Sequence, residues 1–142
     1  MSRTTPVAGI DNLHACLAVG DLEASARWYG DVLGFAVRQR QDFPELGARL
    51  VFMESHGVEL ELVQSAHFMP ARRPDPPADH VAEQGISQLS FRVRDIEGVL
   101  EKVRARSIPV AMDLVDAAPL KLKAFFIRDN EGNLIEFIER YT

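Results

Sequence analysis

Four polar side chains at matching places in the two halves of the sequence form a set suited to metal chemistry. Gln88 lies 74 residues after His14, and Glu136 lies 75 residues after Glu61. Each is predicted to lie on a strand, on the face opposite the apolar residues, because strand side chains alternate between faces. If the two halves pair around a cleft, the four side chains can converge. An imidazole, an amide oxygen and two carboxylates suit a divalent ion with five or six ligands better than a closed tetrahedral site.

The elements that must position these side chains occur twice along the chain. Residues 14–19, HACLAV, alternate in polarity and predict a strand with one face on a core. Asp21 fits a helix N-cap and Gly34 fits a C-terminal stop, so a helix is predicted between them. The same order returns with residues 87–93, SQLSFRV, and the N-cap Asp95. The prediction is therefore an α+β fold, two β-α-β-β-β modules forming a cupped mixed sheet with helices outside.

Three further strands are predicted to complete each module. They are 35–40, 48–54 and 58–63 in the first module, and 108–115, 123–128 and 134–141 in the second. Residues 65–85 carry four prolines and little periodicity, which is typical of a linker. Residues 1–142 are thus predicted to be a single domain of two repeats, module one at 12–64 and module two at 86–141.

The composition bounds the class of protein. The chain has 142 residues, 46% of them hydrophobic and 26% charged, which is ordinary for a globular domain. A net charge of −5 argues against a nucleic-acid surface. No apolar run approaches the roughly 20 residues that a membrane span needs. The single cysteine, Cys16, cannot form an internal disulfide, so a cytoplasmic location is expected.

The motifs resemble those of the glyoxalase I / bleomycin-resistance / extradiol-dioxygenase group, the vicinal oxygen chelate superfamily. The matching segments, which together span residues 12–140, are HACLAVGDLEASARWYGDVLGF, VELELV, SQLSFRV and FFIRDNEGNLIEF. In that family the metal ligands come from the first and last strands of each module. The resemblance places them at His14, Glu61, Gln88 and Glu136. Glu59 shares the predicted face of Glu61, so strand alternation leaves that choice open and the resemblance makes it.

The ligand set resembles that of glyoxalase I and implies an enzyme similar to lactoylglutathione lyase. Its substrate would be a small carbonyl compound such as a thiol hemithioacetal, converted through an enediolate. The resemblance implies Glu136 as the base and Glu61 as the ligand that stays bound, with nickel, zinc, cobalt, manganese or iron as the divalent ion. A homodimer is expected because family members often pair and open sheets expose edges.

Two alternatives to that activity stay open. One is a metal-free small-molecule or antibiotic-binding protein of the bleomycin-resistance type. The other is an epimerase of the methylmalonyl-CoA epimerase type.

Three more residues are predicted to line the substrate pocket. Arg92 shares the predicted face of Gln88 and can meet an anion there. Cys16 shares the face of His14 and is interpreted as a wall residue, because no base is placed beside it. Phe126 either lines the pocket or packs in the core. The other histidines, which fall in turns or in the predicted linker and are predicted to be solvated, are His56, His67 and His80.

Overall fold

The computed structural model describes residues 5–142; residues 1–4 of the predicted domain lie outside this range. The chain divides into two compact units whose boundary falls between Phe68 and Met69. The first unit contains β1 (Ala15–Ala18), α1 (Leu22–Leu33), β2 (Ala36–Phe43), β3 (Ala48–Ser55) and β4 (Val58–Ser65). The second contains β5 (Leu89–Arg92), α2 (Ile96–Ala105), β6 (Val110–Ala117), β7 (Leu122–Arg128) and β8 (Leu134–Arg140). The predicted α+β fold of two β-α-β-β-β modules is confirmed.

Each unit has one mixed four-stranded sheet with the same strand order. The order is β1-β4-β3-β2 in the first unit and β5-β8-β7-β6 in the second. The first and last strands of each module pair in parallel, and the remaining neighbours pair antiparallel. The helix between the first two strands is the crossover that parallel pairing requires. Three short 3₁₀ helices also occur within the described part, at Pro44–Leu46, Pro77–Ala82 and Ala118–Leu120.

The core of each unit lies between the helix and one face of its sheet. On β4, Leu60 and Leu62 are 2% and 0% exposed, whereas Glu61 between them points to the other face. Tyr29 of α1 is fully buried against this face. The rest of the buried apolar set comprises Val19, Leu22, Ala26, Phe35, Val51 and Met53 in the first unit, and Ile96, Leu100, Val103, Ala124, Phe125, Ile127, Leu134, Ile135 and Phe137 in the second. The strand alternation predicted from the sequence therefore separates a helix-packing face from a polar face.

Both helices begin as predicted, and the last strand of each module holds the helix start. The Asp21 carboxylate accepts a hydrogen bond from a first-turn amide at 3.0 Å, and Asp95 does the same at 3.1 Å. The Gln64 side chain on β4 accepts from the first amide of α1 at 2.8 Å. Glu139 on β8 accepts from the first amide of α2 at 3.0 Å. Each helix N-terminus is thus tied to the strand that carries the candidate glutamate.

The segment predicted as a linker has ordered structure at both of its ends. Its first residue, Ser65, closes β4, and residues 69–85 belong to the second unit. His80 is 9% exposed, so the prediction that it is solvated is wrong. The Arg128 guanidinium lies 3.1 Å from His80 Nε2 and donates to the Pro74 carbonyl at 2.8 Å. These contacts pack the proline-rich segment on the end of β7.

Asp21→Ala should lower the free energy of unfolding by about 1 kcal/mol, because a first-turn amide loses its acceptor. Urea unfolding followed by circular dichroism measures this difference. Arg27→Ala, at an exposed position of the same helix, is the control and should change stability by less than about 0.5 kcal/mol. An Asp21→Ala protein as stable as the wild type would contradict the capping role.

Candidate functional site

The first module brings His14 and Glu61 into direct contact. Parallel pairing of β1 with β4 places Cys16 opposite Glu61, and antiparallel pairing of β3 with β4 places Phe52 opposite the same residue. Directly opposed side chains share a face, so all three residues line the polar face of the sheet. His14 lies just before β1, and its Nε2 is 3.2 Å from Glu61 Oε1. The His14 ring packs edge-on against Phe52, with centroids 6.1 Å apart.

Glu59 and Glu61, which the alternation of β4 could not separate, differ in their surroundings. Glu59 is exposed near the β3–β4 turn, opposite Glu54. The Glu61 side chain is 19% exposed and has His14 beside it. The geometry therefore associates Glu61, rather than Glu59, with the histidine.

The Cys16 thiol belongs to the same cluster, and the Glu61 carboxylate affects its pKa. Desolvation by the surrounding protein is the main cause that raises the pKa of Cys16, followed by the negative charge of Glu61 and a hydrogen bond to it. A raised pKa keeps the thiol protonated, and a protonated thiol is a weak nucleophile. Cys16 is therefore a neutral neighbour of Glu61.

The second module repeats this arrangement with different side chains. Ser90 on β5 and Phe126 on β7 both lie opposite Glu136 on β8. The Ser90 hydroxyl donates a hydrogen bond to Glu136 Oε1 at 2.6 Å, the short distance typical of a charged acceptor. Gln88 is half-buried directly before β5, where His14 stands before β1. Arg92 is exposed at the end of β5.

The two half-sites match position by position. The pairs are His14 with Gln88, Cys16 with Ser90, Phe52 with Phe126, and Glu61 with Glu136. Sequence reasoning did not identify Ser90. The signal was available, because adding the 74-residue offset to Cys16 leads directly to it.

The contact between His14 and Glu61 fits a pair of neighbouring metal ligands. Two donor atoms about 2.1 Å from one ion and at right angles to it lie about 3.0 Å apart. The observed separation of the nitrogen and oxygen is 3.2 Å. The His14 side chain is 44% exposed, so an ion from solvent can reach the ring. The ring nitrogen could then bind the ion in place of its contact with Glu61.

A second group of carboxylates lies at the start of α2, but its members have structural roles. Asp95, Glu97 and Glu139 have oxygen atoms within 4.8 Å of one another. Asp95 and Glu139 accept hydrogen bonds from amides in the first turn of α2. Glu97 accepts from Lys123 Nζ at 2.7 Å, and this hydrogen bond lowers the pKa of Glu97. The group stabilises the helix start and needs no ion.

The repeated module, with a glutamate at the same place on the polar face of each sheet, defines a class of tandem β-α-β-β-β proteins. A family model described as the Glyoxalase/Bleomycin resistance protein/Dioxygenase superfamily matches residues 12–137. The chain belongs to this superfamily, as its motifs predicted. Within residues 5–142, no helix is long and apolar enough to cross a membrane.

Individual relatives agree with this assignment. The chain is 31% identical over 134 residues to the lactoylglutathione lyase of Haemophilus influenzae, covering 89% of this chain and 90% of that protein. It is 29% identical over 94 residues to the ethylmalonyl-CoA/methylmalonyl-CoA epimerase of Cereibacter sphaeroides, covering 64% of this chain and 66% of that protein. A glyoxalase family protein of known structure from Enterococcus faecalis matches with a TM-score of 0.74 and 26% identity, over 92% of this chain and 98% of that one.

Glu61→Gln should increase the rate at which Cys16 of the metal-free protein reacts with iodoacetamide near pH 8, by several-fold. The carboxylate charge disfavours the thiolate, so its removal lowers the pKa of Cys16 toward the ordinary value and increases the thiolate fraction. Burial, the larger cause, is unchanged, so the reversal is partial. Mass spectrometry of quenched samples measures the rate. His14→Gln retains the Glu61 charge and is the matched control; equal rates in the Glu61→Gln and wild-type proteins would contradict the coupling.

Proposed function

We propose that the protein is a divalent-metal-dependent lyase or isomerase of the glyoxalase I type, acting on a small carbonyl substrate such as a thiol hemithioacetal. The observation that carries this proposal is the 3.2 Å contact between His14 Nε2 and Glu61 Oε1, repeated in position by Gln88 and Glu136. The identity to a lactoylglutathione lyase along most of both chains supports the same reaction class.

The proposed ligands are His14 and Glu61 from the first module, and Gln88 and Glu136 from the second. They offer one nitrogen and three oxygen donors, two from carboxylates and one from an amide, a set that suits nickel, zinc, cobalt, manganese or iron(II). A bound divalent ion would supply Lewis-acid polarisation of the substrate carbonyl, which acidifies the neighbouring C–H group. The chain's own residues then determine where the proton goes.

Glu136 is the proposed base. Its Oε1 is held by the Ser90 hydroxyl at 2.6 Å, which fixes the plane of the carboxylate and leaves Oε2 to take a proton. Phe126 lies opposite it on the neighbouring strand, and both residues are half-buried. Glu136 would take the proton from the carbon next to the carbonyl and return it to the adjacent carbon, which isomerises the substrate without net consumption of a proton.

Glu136→Gln should retain most of the bound metal, because an amide oxygen replaces a carboxylate oxygen, and should lose on the order of a hundredfold or more in turnover. Hemithioacetals of methylglyoxal with glutathione and with other thiols are the substrates to screen. Metal content measured on the same samples shows whether the loss of turnover comes from the missing base or from a missing ion. If the metal-loaded Glu136→Gln protein turns over at the wild-type rate, Glu136 is not the base.

His14→Ala should lose metal before anything else, because it removes the only nitrogen of the proposed set. Elemental analysis of protein purified without chelators measures the occupancy, and His67→Ala, at an exposed loop position of the same unit, is the control. Wild-type protein with less than about a tenth of an ion per chain, and no uptake from added nickel, cobalt, manganese or zinc, would favour a metal-free small-molecule or antibiotic-binding protein.

An epimerase is the second candidate function, favoured by the match to the Cereibacter sphaeroides protein. An epimerase would use the same two glutamates. One would remove the proton next to a thioester carbonyl, and the other would return a proton to the opposite face of the same carbon. Racemisation of branched acyl-CoA thioesters, with no activity on hemithioacetals, would select this function over the first.

The proposal includes a homodimer in the cytoplasm. The outer strand β2 is exposed along nearly its whole length, which leaves an edge for a second chain. The free thiol of Cys16 is typical of a reducing compartment. Light scattering that finds only monomer at working concentration would contradict the dimer.

A further inference from the structure

The second unit contains an open cavity of about 790 Å³ that takes no part in the proposed proton transfer; Arg92, which was predicted to line the substrate pocket, lies in it. It lies where the parallel strands β5 and β8 end, beside the starts of α2 and β7. Four basic and two acidic side chains line it: Arg92, Arg94, Lys123, Arg140, Asp116 and Glu139. Its volume is within the range of small-molecule sites.

The acidic side chains of the cavity are engaged by donors of their own. The Tyr141 hydroxyl donates to Asp116, and this hydrogen bond is the main cause that raises the pKa of Tyr141. Glu139 accepts from the first amide of α2 at 3.0 Å. Lys123 is also committed, since its ammonium group lies 2.7 Å from Glu97. The tyrosine hydroxyl and the backbone amide are neutral donors, so Asp116 and Glu139 keep their charges. With Lys123 paired to Glu97, the three arginines of the cavity exceed its two carboxylates by one positive charge.

The remaining charges are Arg92, Arg94 and Arg140, which we name the arginine cluster. All three are exposed, and none has a side-chain hydrogen bond or an ion pair with any residue from 5 to 142. Guanidinium groups offer planar pairs of N–H donors that match the oxygens of carboxylate and phosphate. The cavity is therefore a local cationic site on a chain whose net charge is −5.

The first module shows that the fold does not require these arginines. Both modules keep an acid–base pair between their second and third strands: Asp42 lies opposite Arg49, and Asp116 lies opposite Lys123. The counterparts of the arginine cluster, found with the same offsets, are small and uncharged: Ala18, Gly20 and Ser65. The same scaffold therefore forms without the cluster.

We infer that this cavity binds a small ligand carrying two or more oxyanion groups, either phosphates or carboxylates. One guanidinium group suits a single oxyanion, whereas three groups around one cavity suit a polyanion. The openness of the site to solvent and its charged walls favour a hydrophilic ligand over an apolar one. The inference is independent of the proposed reaction, because it needs neither the metal nor Glu136.

The test is isothermal titration calorimetry of the full chain with fructose 1,6-bisphosphate and with tricarballylate, at constant ionic strength. We expect one or both to bind, and fructose itself not to bind. The bisphosphate alone would identify phosphate as the ligand group, and tricarballylate alone would identify carboxylate. Absence of binding for both anions would overturn the inference.

Variants assign the binding to the cavity. Arg94→Gln and Arg140→Gln should each weaken binding by about tenfold, and the triple variant with Arg92→Gln should show none. Arg27→Gln, an exposed arginine of α1, removes the same charge elsewhere and should bind like the wild type. A triple variant with wild-type affinity would overturn the assignment. Loss of binding in His14→Ala would also overturn it, because the anion would then sit at the proposed metal.

Discussion

Parallel pairing between the first and last strands of each module is the constraint on which both half-sites depend. In both sheets this pairing sets a residue of the first strand opposite the glutamate of the last strand, Cys16 opposite Glu61 and Ser90 opposite Glu136. A shift of one residue would turn the glutamate into the core and Leu60 and Leu62 out to water. The cost of exposing two fully buried leucines is a few kcal/mol, so the core fixes the register and the register places the site.

The helix start reinforces this register from the opposite side of the sheet. Gln64 and Glu139 extend from the last strands to the first amides of α1 and α2. A shifted strand would withdraw these acceptors, and an amide at a helix N-terminus would lose its partner. Core packing and helix capping therefore favour the same alignment of the strands. The glutamates on the polar face are not needed to set it.

The parts of the structure that followed local rules could be predicted from the sequence. Alternation identified the buried leucines of β4, and Asp21 and Asp95 identified the helix starts. The repeat offset located the glutamates, although the choice between Glu59 and Glu61 needed the resemblance. His80 was missed because a proline-rich segment has no periodicity, and its burial depends on a distant arginine, Arg128.

Comparison of the two modules separates residues that maintain the fold from residues that serve a site. The N-cap aspartates, the apolar core positions and the opposed acid–base pairs occur in both modules, because both copies must fold in the same way. The side chains at the matching positions differ: His14 and Cys16 in the first module correspond to Gln88 and Ser90 in the second. A hydroxyl is a stronger donor than a thiol, so Ser90 holds its carboxylate more firmly than Cys16 does. The same scaffold thus surrounds its two glutamates with different donors, which fits the different roles proposed for them.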